Sequence, residues 1–82
     1  MSFKEYIHAQ RVAIDICTRL GRRVRVLRTE RQWTQTYLAV HTGLGRIYIS
    51  DIERGVKEPC LRTLNTLAEG FEMTVSELLQ DI

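Results

Sequence analysis

Apolar residues recur every three or four positions along most of this 82-residue chain, and a single proline interrupts the pattern. This spacing is typical of helices that bury one face, whereas strands would show alternation with a period of two. The sequence therefore predicts an all-α protein. Its length fits one compact domain over residues 1–82, with no room for a second folded unit.

Capping residues mark where the first helices begin. Residues 2–5 (SFKE) have the form of a capping box and predict a first helix. A second helical stretch follows over residues 20–27, and the sequence leaves open whether the two are continuous or break between residues 15 and 18. Trp33, just beyond this region, is expected to anchor the core. The first helix could form an apolar stripe from Tyr6, Ile7, Ala13, Ile14 and Cys17.

Two short helices that meet at a glycine are predicted between Thr34 and Gly55. Thr34 is a suitable N-cap for a helix over about residues 35–42, and Gly43 can adopt the left-handed conformation that ends it. A second helix is predicted over residues 46–54, with Gly55 as its stop. This arrangement is typical of a helix-turn-helix, and the apolar residues that it needs are present: Leu38, Ala39, Leu44, Ile49 and Ile52.

Two further helices complete the predicted fold. One spans residues 60–69 and ends at Gly70. Four of its residues have the spacing of a core-facing side: Leu61, Leu64, Leu67 and Ala68. Another capping box, at residues 74–77 (TVSE), opens a last short helix.

Charge is distributed unevenly along the chain, although its net value is only +2. Residues 17–34 carry six arginines against one glutamate, which gives +5, whereas residues 58–82 carry −4. We therefore expect one basic and one acidic end. A basic side suits a polyanionic partner such as a nucleic acid.

The sequence offers no pattern typical of a catalytic or cofactor site. It contains no carboxylate pair and no phosphate-binding glycine loop, and its two cysteines and two histidines are too scattered to suggest a metal site. An enzyme, a cofactor, a metal ion and a small-molecule effector are therefore not expected. No segment approaches the roughly 20 apolar residues of a membrane span, and no signal peptide is evident, which favours a cytoplasmic location.

The predicted helix over residues 46–54 carries the side chains expected to meet DNA bases. At about 13 Å in length, it fits the major groove of B-form DNA. Arg46 could pair with guanine through two hydrogen bonds, and Ile47 could contact a thymine methyl group. Asp51 could accept a hydrogen bond from cytosine, or could instead orient Arg46 or Arg54. The residues predicted to contact bases are Arg46, Ile47, Ser50 and Asp51.

Phosphate contacts are predicted on both short helices. Gln35 lies in the first turn of its helix, where unpaired N–H groups and the helix dipole favour an anion. The full predicted set is Gln35, Tyr48, Arg54 and Lys57.

A partly buried ion pair is predicted between Arg28 and Glu53. Arg28 lies one helical turn after Val24 on the inward side, and Glu53 follows the inward-facing Ile52. We expect this pair to be structural.

Three segments resemble the Cro/phage-repressor (XRE) helix-turn-helix family, namely LGRRVRVLRTERQWTQTYLA, GLGRIYISDIERG and PCLRTLNTLAEGFEMTVSELL. Within that family the chain is most similar to the small controller proteins of restriction–modification systems. The resemblance covers residues 20–79 and implies a five-helix repressor-like domain, a homodimer and inverted-repeat operators. Residues 1–17 would then form an N-terminal helical extension.

The resemblance also assigns roles to individual positions. The family's base-contacting positions fall on Gly45, Arg46, Ile47 and Asp51. Its helix-start glutamine falls on Gln35, and its internal ion pair on Arg28 and Glu53. One departure is Gln32, which stands where the family usually has glycine.

Two functions remain in competition. The first is a sequence-specific transcription regulator that binds double-stranded DNA as a homodimer, with the helices over residues 46–54 of two copies about 34 Å apart. Its dimer surface is predicted from apolar residues near the end of the chain: Val75, Leu78, Leu79 and Ile82. The second is an antitoxin-like interaction module, in which residues 1–17 bind a protein partner and DNA binding is secondary.

Overall fold

The fold consists of six α-helices. In the computed structural model the backbone is described throughout, and side chains are described for residues 1–9 and 14–82. The helices are α1 (Phe3–Ala13), α2 (Ile16–Glu30), α3 (Gln35–Thr42), α4 (Arg46–Glu53), α5 (Leu61–Gly70) and α6 (Val75–Leu78). The described backbone contains no strand, so the all-α prediction is confirmed. Among the described residues, no helix combines the length and apolar character needed to cross a membrane.

The first two helices are separate. The Asp15 carboxylate caps α2 by accepting hydrogen bonds from the backbone N–H groups of Cys17 at 2.9 Å and Thr18 at 3.4 Å. Ile14, between the helices, is extended, with φ −98° and ψ 130°. The question that the sequence left open is therefore resolved in favour of a break, because an extended residue and a new cap cannot lie inside one helix.

The predicted apolar stripe of the first helix is wrong in most of its members. Tyr6 is 49% exposed, and Ile7 is only half buried. Ile14 lies after the end of α1, and Cys17 belongs to α2. Ala13 lies outside the residues whose side chains are described. Helix α1 starts at the predicted Ser2 capping box, yet it buries little of its apolar side.

The core lies among α2 to α6. Its largest fully buried side chains come from all five helices: Val24, Leu38, Ile49, Ile52, Leu67 and Leu78. Trp33 is half buried at the edge of this cluster and stacks on Phe71, with ring centroids 5.9 Å apart. It therefore packs at the rim of the core as part of an aromatic group.

Helix α2 crosses α4 at Gly21, a residue that the sequence did not single out. A Cβ atom at this position would lie 2.4 Å from the carbonyl oxygen of Ile52 and 2.5 Å from that of Glu53. Only glycine allows the two helix backbones to approach so closely. This contact sets the height of α4 above the body of the protein.

Helix α5 differs from its predicted form at both ends. Leu61 was expected to face the core but is 72% exposed, because it lies in the first turn of α5 with no neighbouring element over it. Gly70 is the last helical residue and does not end the helix through a left-handed conformation. That conformation is adopted by Glu72, with φ 59°.

Gln32, the residue at the family's usual glycine position, has a positive φ of 58°. A left-handed conformation disfavours a residue with a Cβ atom by about 1–2 kcal/mol, part of which a glycine would lose again through its more flexible unfolded chain. We expect Gln32→Gly to raise the free energy of unfolding by up to about 1 kcal/mol in urea denaturation.

The matched control is Glu30→Gly, at an exposed position inside α2. There glycine should lower the free energy of unfolding by about 0.5–1 kcal/mol, since it only adds freedom to the unfolded chain. Equal losses at both positions would contradict the strain assigned to Gln32.

Candidate nucleic-acid interface

Helices α3 and α4 form the predicted helix-turn-helix. Thr34 caps α3, its hydroxyl accepting the N–H of Tyr37 at 3.0 Å, and Gly43 ends α3 in the left-handed conformation with φ 77°. Gly45 is the N-cap of α4 and makes no side-chain capping bond. The two helices therefore begin and end close to the predicted residues, and α4 ends one residue early, with Arg54 as its C-cap.

Helix α4 has one buried side and one side open to solvent. Ile49 and Ile52 are 0% and 1% exposed. Arg46 and Ile47, at its N-terminal end, are exposed, and Ile47 retains 69% of its accessible surface. An isoleucine in this position has no packing role within the protein, and it is available for contact with a partner.

Asp51 and Arg54 form an ion pair on the outer part of α4. The Nη2 atom of Arg54 donates to Oδ1 of Asp51 at 2.5 Å, with the side chains 63% and 17% exposed, respectively. Ser50, beside this pair, is half buried. Of the two roles that the sequence allowed for Asp51, orientation of Arg54 is the one present without DNA.

Tyr48 does not project from α4 as expected. Its ring is half buried against the core, and its hydroxyl donates to Oγ1 of Thr63 on α5 at 3.4 Å. Tyr48 covers the line of contact between α4 and α5, so its hydroxyl would have to leave Thr63 to bind a phosphate. Its phosphate role stays a prediction.

The structure contains the predicted ion pair between Arg28 and Glu53. Nε of Arg28 lies 2.7 Å from Oε2 of Glu53, and Nη2 lies 2.9 Å from Oε1, which makes the pair bidentate. The two side chains are 12% and 4% exposed. The hydrogen bond to Glu53 raises the pKa of Arg28 above its ordinary value, against the opposing effect of burial. Nη1 of Arg28 also donates to the carbonyl of Trp33 at 2.7 Å.

Gln35 joins this ion pair. Its amide nitrogen donates to Oε1 of Glu53 at 3.2 Å, and its side chain is half buried. The bond connects the first turn of α3 to the last residue of α4. The sequence predicted Gln35 and Glu53 for separate roles and gave no sign of the bond, because the residues lie 18 positions apart.

Most arginines of the basic segment are engaged within the protein. Four of the six donate to backbone carbonyls: Arg19, Arg23, Arg28 and Arg31. Arg19 donates to the carbonyl of Ile82, and Arg23 to those of Glu77 at 3.0 Å and Leu78 at 3.1 Å. The prediction of separate basic and acidic ends is therefore wrong, because packing places α2 against the last turn of the acidic segment.

The predicted dimer residues have unequal exposure. Leu78 is 0% exposed within one copy, so its place in a dimer surface is wrong: α6 closes the core with this side chain. Val75 and Ile82 are half buried, and Leu79 is 36% exposed. Leu79 and Ile82 line an apolar groove of about 320 Å³, whose other apolar walls come from distant parts of the chain: Ile16, Cys17, Leu20, Pro59 and Leu64.

Other kinds of site find no support in the described part of the chain. It contains no group of three or more His, Cys, Asp or Glu side chains placed to hold a metal ion. Both cysteines are free thiols; Cys17 is half buried, and Cys60 is exposed. Lys57, predicted to contact phosphate, is exposed in the loop after α4.

Comparison with known proteins finds relatives over most of the chain. Residues 19–80 match the profile of a family described as a helix-turn-helix domain. The chain is 38% identical over 60 residues to the immunity repressor protein of Bacillus phage phi105, a match that covers 73% of this chain and 42% of the repressor. It is 36% identical over 69 residues to the control protein C.MunI of a Mycoplasma species, covering 83% and 93% of the two chains.

A solved structure shows the same arrangement. The restriction-modification controller protein C.AhdI from Aeromonas hydrophila superposes with a TM-score of 0.73 at 34% identity, covering 76% of this chain and 94% of that one. The chain thus spans nearly all of the two control proteins and less than half of the phage repressor. Helix α1 precedes the part matched by the family profile.

Proposed function

Because the chain belongs to the helix-turn-helix family of DNA-binding transcription regulators, of the Cro/phage-repressor type, we propose that it binds an inverted-repeat operator as a homodimer. The main support is α4, which buries Ile49 and Ile52 while Arg46 and Ile47 stay exposed at its N-terminal end. In this docking mode the N-terminal residues of the helix lie nearest the base edges. The names of two relatives, an immunity repressor and a restriction-modification controller, favour a regulatory role.

Contacts with bases and phosphates divide between the two helices. Arg46 and Ile47 face base edges, guanine and the thymine methyl group being their respective chemical matches. Ser50 and Asp51 follow on the same side of α4. The phosphate contacts come from Gln35 on α3, from Arg54 at the end of α4 and from Lys57 in the following loop.

The apolar groove supports a dimer. One copy of α4 reaches only a few base pairs, so affinity and specificity need two copies about one DNA turn apart. A second copy seated on the groove would cover Leu79 and Ile82, and with them Ile16, which is 56% exposed. We propose this groove, in place of the sequence-derived set that included Leu78, as the dimer face.

Selection of bound fragments from a random duplex library tests the proposal directly. We expect a palindromic site whose half-sites are about one helical turn apart. Affinity for the selected site should fall steeply with salt, with a log–log slope of about −0.9 per phosphate neutralised. Failure to enrich any sequence would contradict the proposed function.

Arg46→Ala should then remove preference at one base pair in each half-site. A bidentate arginine–guanine contact contributes about 1–3 kcal/mol of discrimination, so the affinity for that base pair should fall about 5- to 150-fold per contact toward the value for a mismatch. The measurement is a comparison of dissociation constants for the selected site and for sites changed at each position in turn.

A matched control is Arg62→Ala, at an exposed arginine on α5, outside the helix-turn-helix. It should leave the pattern of base preference unchanged. Equal preference patterns in the wild type and the Arg46 variant would show that another side chain specifies the base.

Helix α1 provides the observation that favours a second function. Phe3 and Tyr6 are 79% and 49% exposed, more than α1 needs for its own packing, and α1 precedes the family match. An antitoxin-like module would use this side to bind a protein. Co-expression with the product of an adjacent reading frame tests it: a complex that forms with the wild type and not with Phe3→Ser would support this function.

A further inference from the structure

We propose that Glu53 is a positioning residue for DNA-backbone binding, which fixes the side-chain amide of Gln35 so that a donor faces the phosphate. This inference rests on the proposed function. Its structural basis is the pair of hydrogen bonds that meet at Oε1 of Glu53, from Nη2 of Arg28 at 2.9 Å and from Nε2 of Gln35 at 3.2 Å.

The chemistry of the carboxylate determines which way the Gln35 amide points. An ionised carboxylate accepts hydrogen bonds and cannot donate them, so the nitrogen of the amide must face Glu53. The glutamate is held in its ionised form by Arg28, whose guanidinium contacts both of its oxygens. One N–H of the amide is thereby used, and the second remains for another acceptor.

A phosphate oxygen is also only an acceptor. An amide that is free to turn over would present its oxygen to the phosphate part of the time, and those orientations would not bind. Glu53 removes them before DNA arrives, so less side-chain entropy is lost on binding. Charge-assisted hydrogen bonds also polarise the groups that make them, which strengthens the remaining donor.

The bond from Gln35 is not needed to complete the ion pair. Arg28 already contacts both oxygens of Glu53 and the carbonyl of Trp33. Changes at Gln35 should therefore affect DNA affinity more than stability. This separation distinguishes a positioning role from a purely structural one.

A double-mutant cycle tests the coupling. Gln35→Ala should weaken binding to specific and non-specific duplexes alike, by about twofold to tenfold for one lost hydrogen bond. Glu53→Gln should weaken binding by a similar factor, because a neutral amide at position 53 lets the Gln35 amide turn over. The variant with both changes should bind no more weakly than Glu53→Gln alone.

Thermal unfolding of each variant, measured alongside, restricts the comparison to temperatures at which all are folded. Factors that multiply in the doubly changed protein would show that the two residues act independently and would overturn the proposal. So would a Gln35→Ala variant with wild-type affinity. An intact response to Arg46→Ala in the same assay would show that the proposed function stands even if this inference fails.

A second series keeps Arg28 and Glu53 and so remains informative if Glu53→Gln does not fold. Gln35→Asn retains the amide but is too short to hold it against Glu53, and should bind as weakly as Gln35→Ala. Gln35→Glu sets a second carboxylate against Glu53 and against the phosphate, and should bind more weakly than either. Wild-type affinity of Gln35→Asn would overturn the proposal, since the amide would then act without its partner.

Discussion

Gly21→Ala should lower the free energy of unfolding by about 3 kcal/mol or more. The added methyl group would lie 2.4 Å from the carbonyl oxygen of Ile52, and 2.5 Å and 2.8 Å from the carbonyl oxygen and carbon of Glu53. All three atoms are backbone, so no side chain can rotate away and α2 must separate from α4. Overpacking typically costs about 1–3 kcal/mol, and a clash between two backbones lies at the upper end of this range or beyond.

The sign of this effect is itself a test. In a helix without the contact, alanine would be favoured over glycine by about 0.8–1 kcal/mol. For a domain of this size the expected loss corresponds to a fall in Tm of more than 10 °C at about 4–8 °C per kcal/mol. Circular dichroism during heating and urea titration would measure both quantities.

Gly45→Ala is the matched control. Gly45 has an ordinary φ of −69°, and no atom lies within 4 Å of the position that its Cβ would occupy. Alanine is a weaker N-cap than glycine, so a loss below about 1 kcal/mol is expected there. A Gly21→Ala protein as stable as the wild type would mean that α2 and α4 lie farther apart than described.

Arg28→Ala should lower the free energy of unfolding by about 3–5 kcal/mol. The change would leave the Glu53 carboxylate, only 4% exposed, without its cation, and would deprive the Trp33 carbonyl of its donor. Removing one partner of a buried ion pair has this effect because the remaining charge stays desolvated. Urea denaturation at neutral pH measures it.

The Asp51–Arg54 pair supplies the control for Arg28. It has a comparably short distance of 2.5 Å, but Arg54 is 63% exposed. Arg54→Ala should therefore change stability by less than about 1 kcal/mol. Replacing the buried pair as a whole, by Arg28→Met with Glu53→Leu, should recover much of the stability that Arg28→Ala loses. Equal losses for Arg28→Ala and Arg54→Ala would show that burial does not govern these pairs.

The boundaries of the helices could be predicted because their signals are local. The hydroxyl of Thr34 and the left-handed Gly43 act within one helical turn of their own positions. The same holds for the capping boxes that begin at Ser2 and Thr74. The family resemblance, confirmed over residues 19–80, rests on these same local signals.

Which neighbour covers each side of a helix could not be predicted. Periodicity indicates that a helix has an apolar side, but the covering element is set by distant parts of the chain. Tyr48 was expected in solvent and is half buried because α5 lies beside it. Leu78 was expected at a dimer surface and is fully buried because α6 closes the core.

The candidate site divides in the same way. Arg46 and Ile47 could be assigned from the sequence, since their exposure follows from the buried Ile49 and Ile52 on the same short helix. The contact at Gly21 and the bond between Gln35 and Glu53 join separate helices. Such contacts depend on how the helices cross, which no spacing within one helix determines.

The break between α1 and α2 makes the first helix separable from the rest of the molecule. Because Asp15 supplies its own cap to α2, the body that carries α4 does not depend on α1 to start its first helix. Evolution can therefore lengthen, exchange or discard the leading segment while the DNA-facing side chains keep their geometry. A new partner could be recruited through this appendage without any change in the preferred operator.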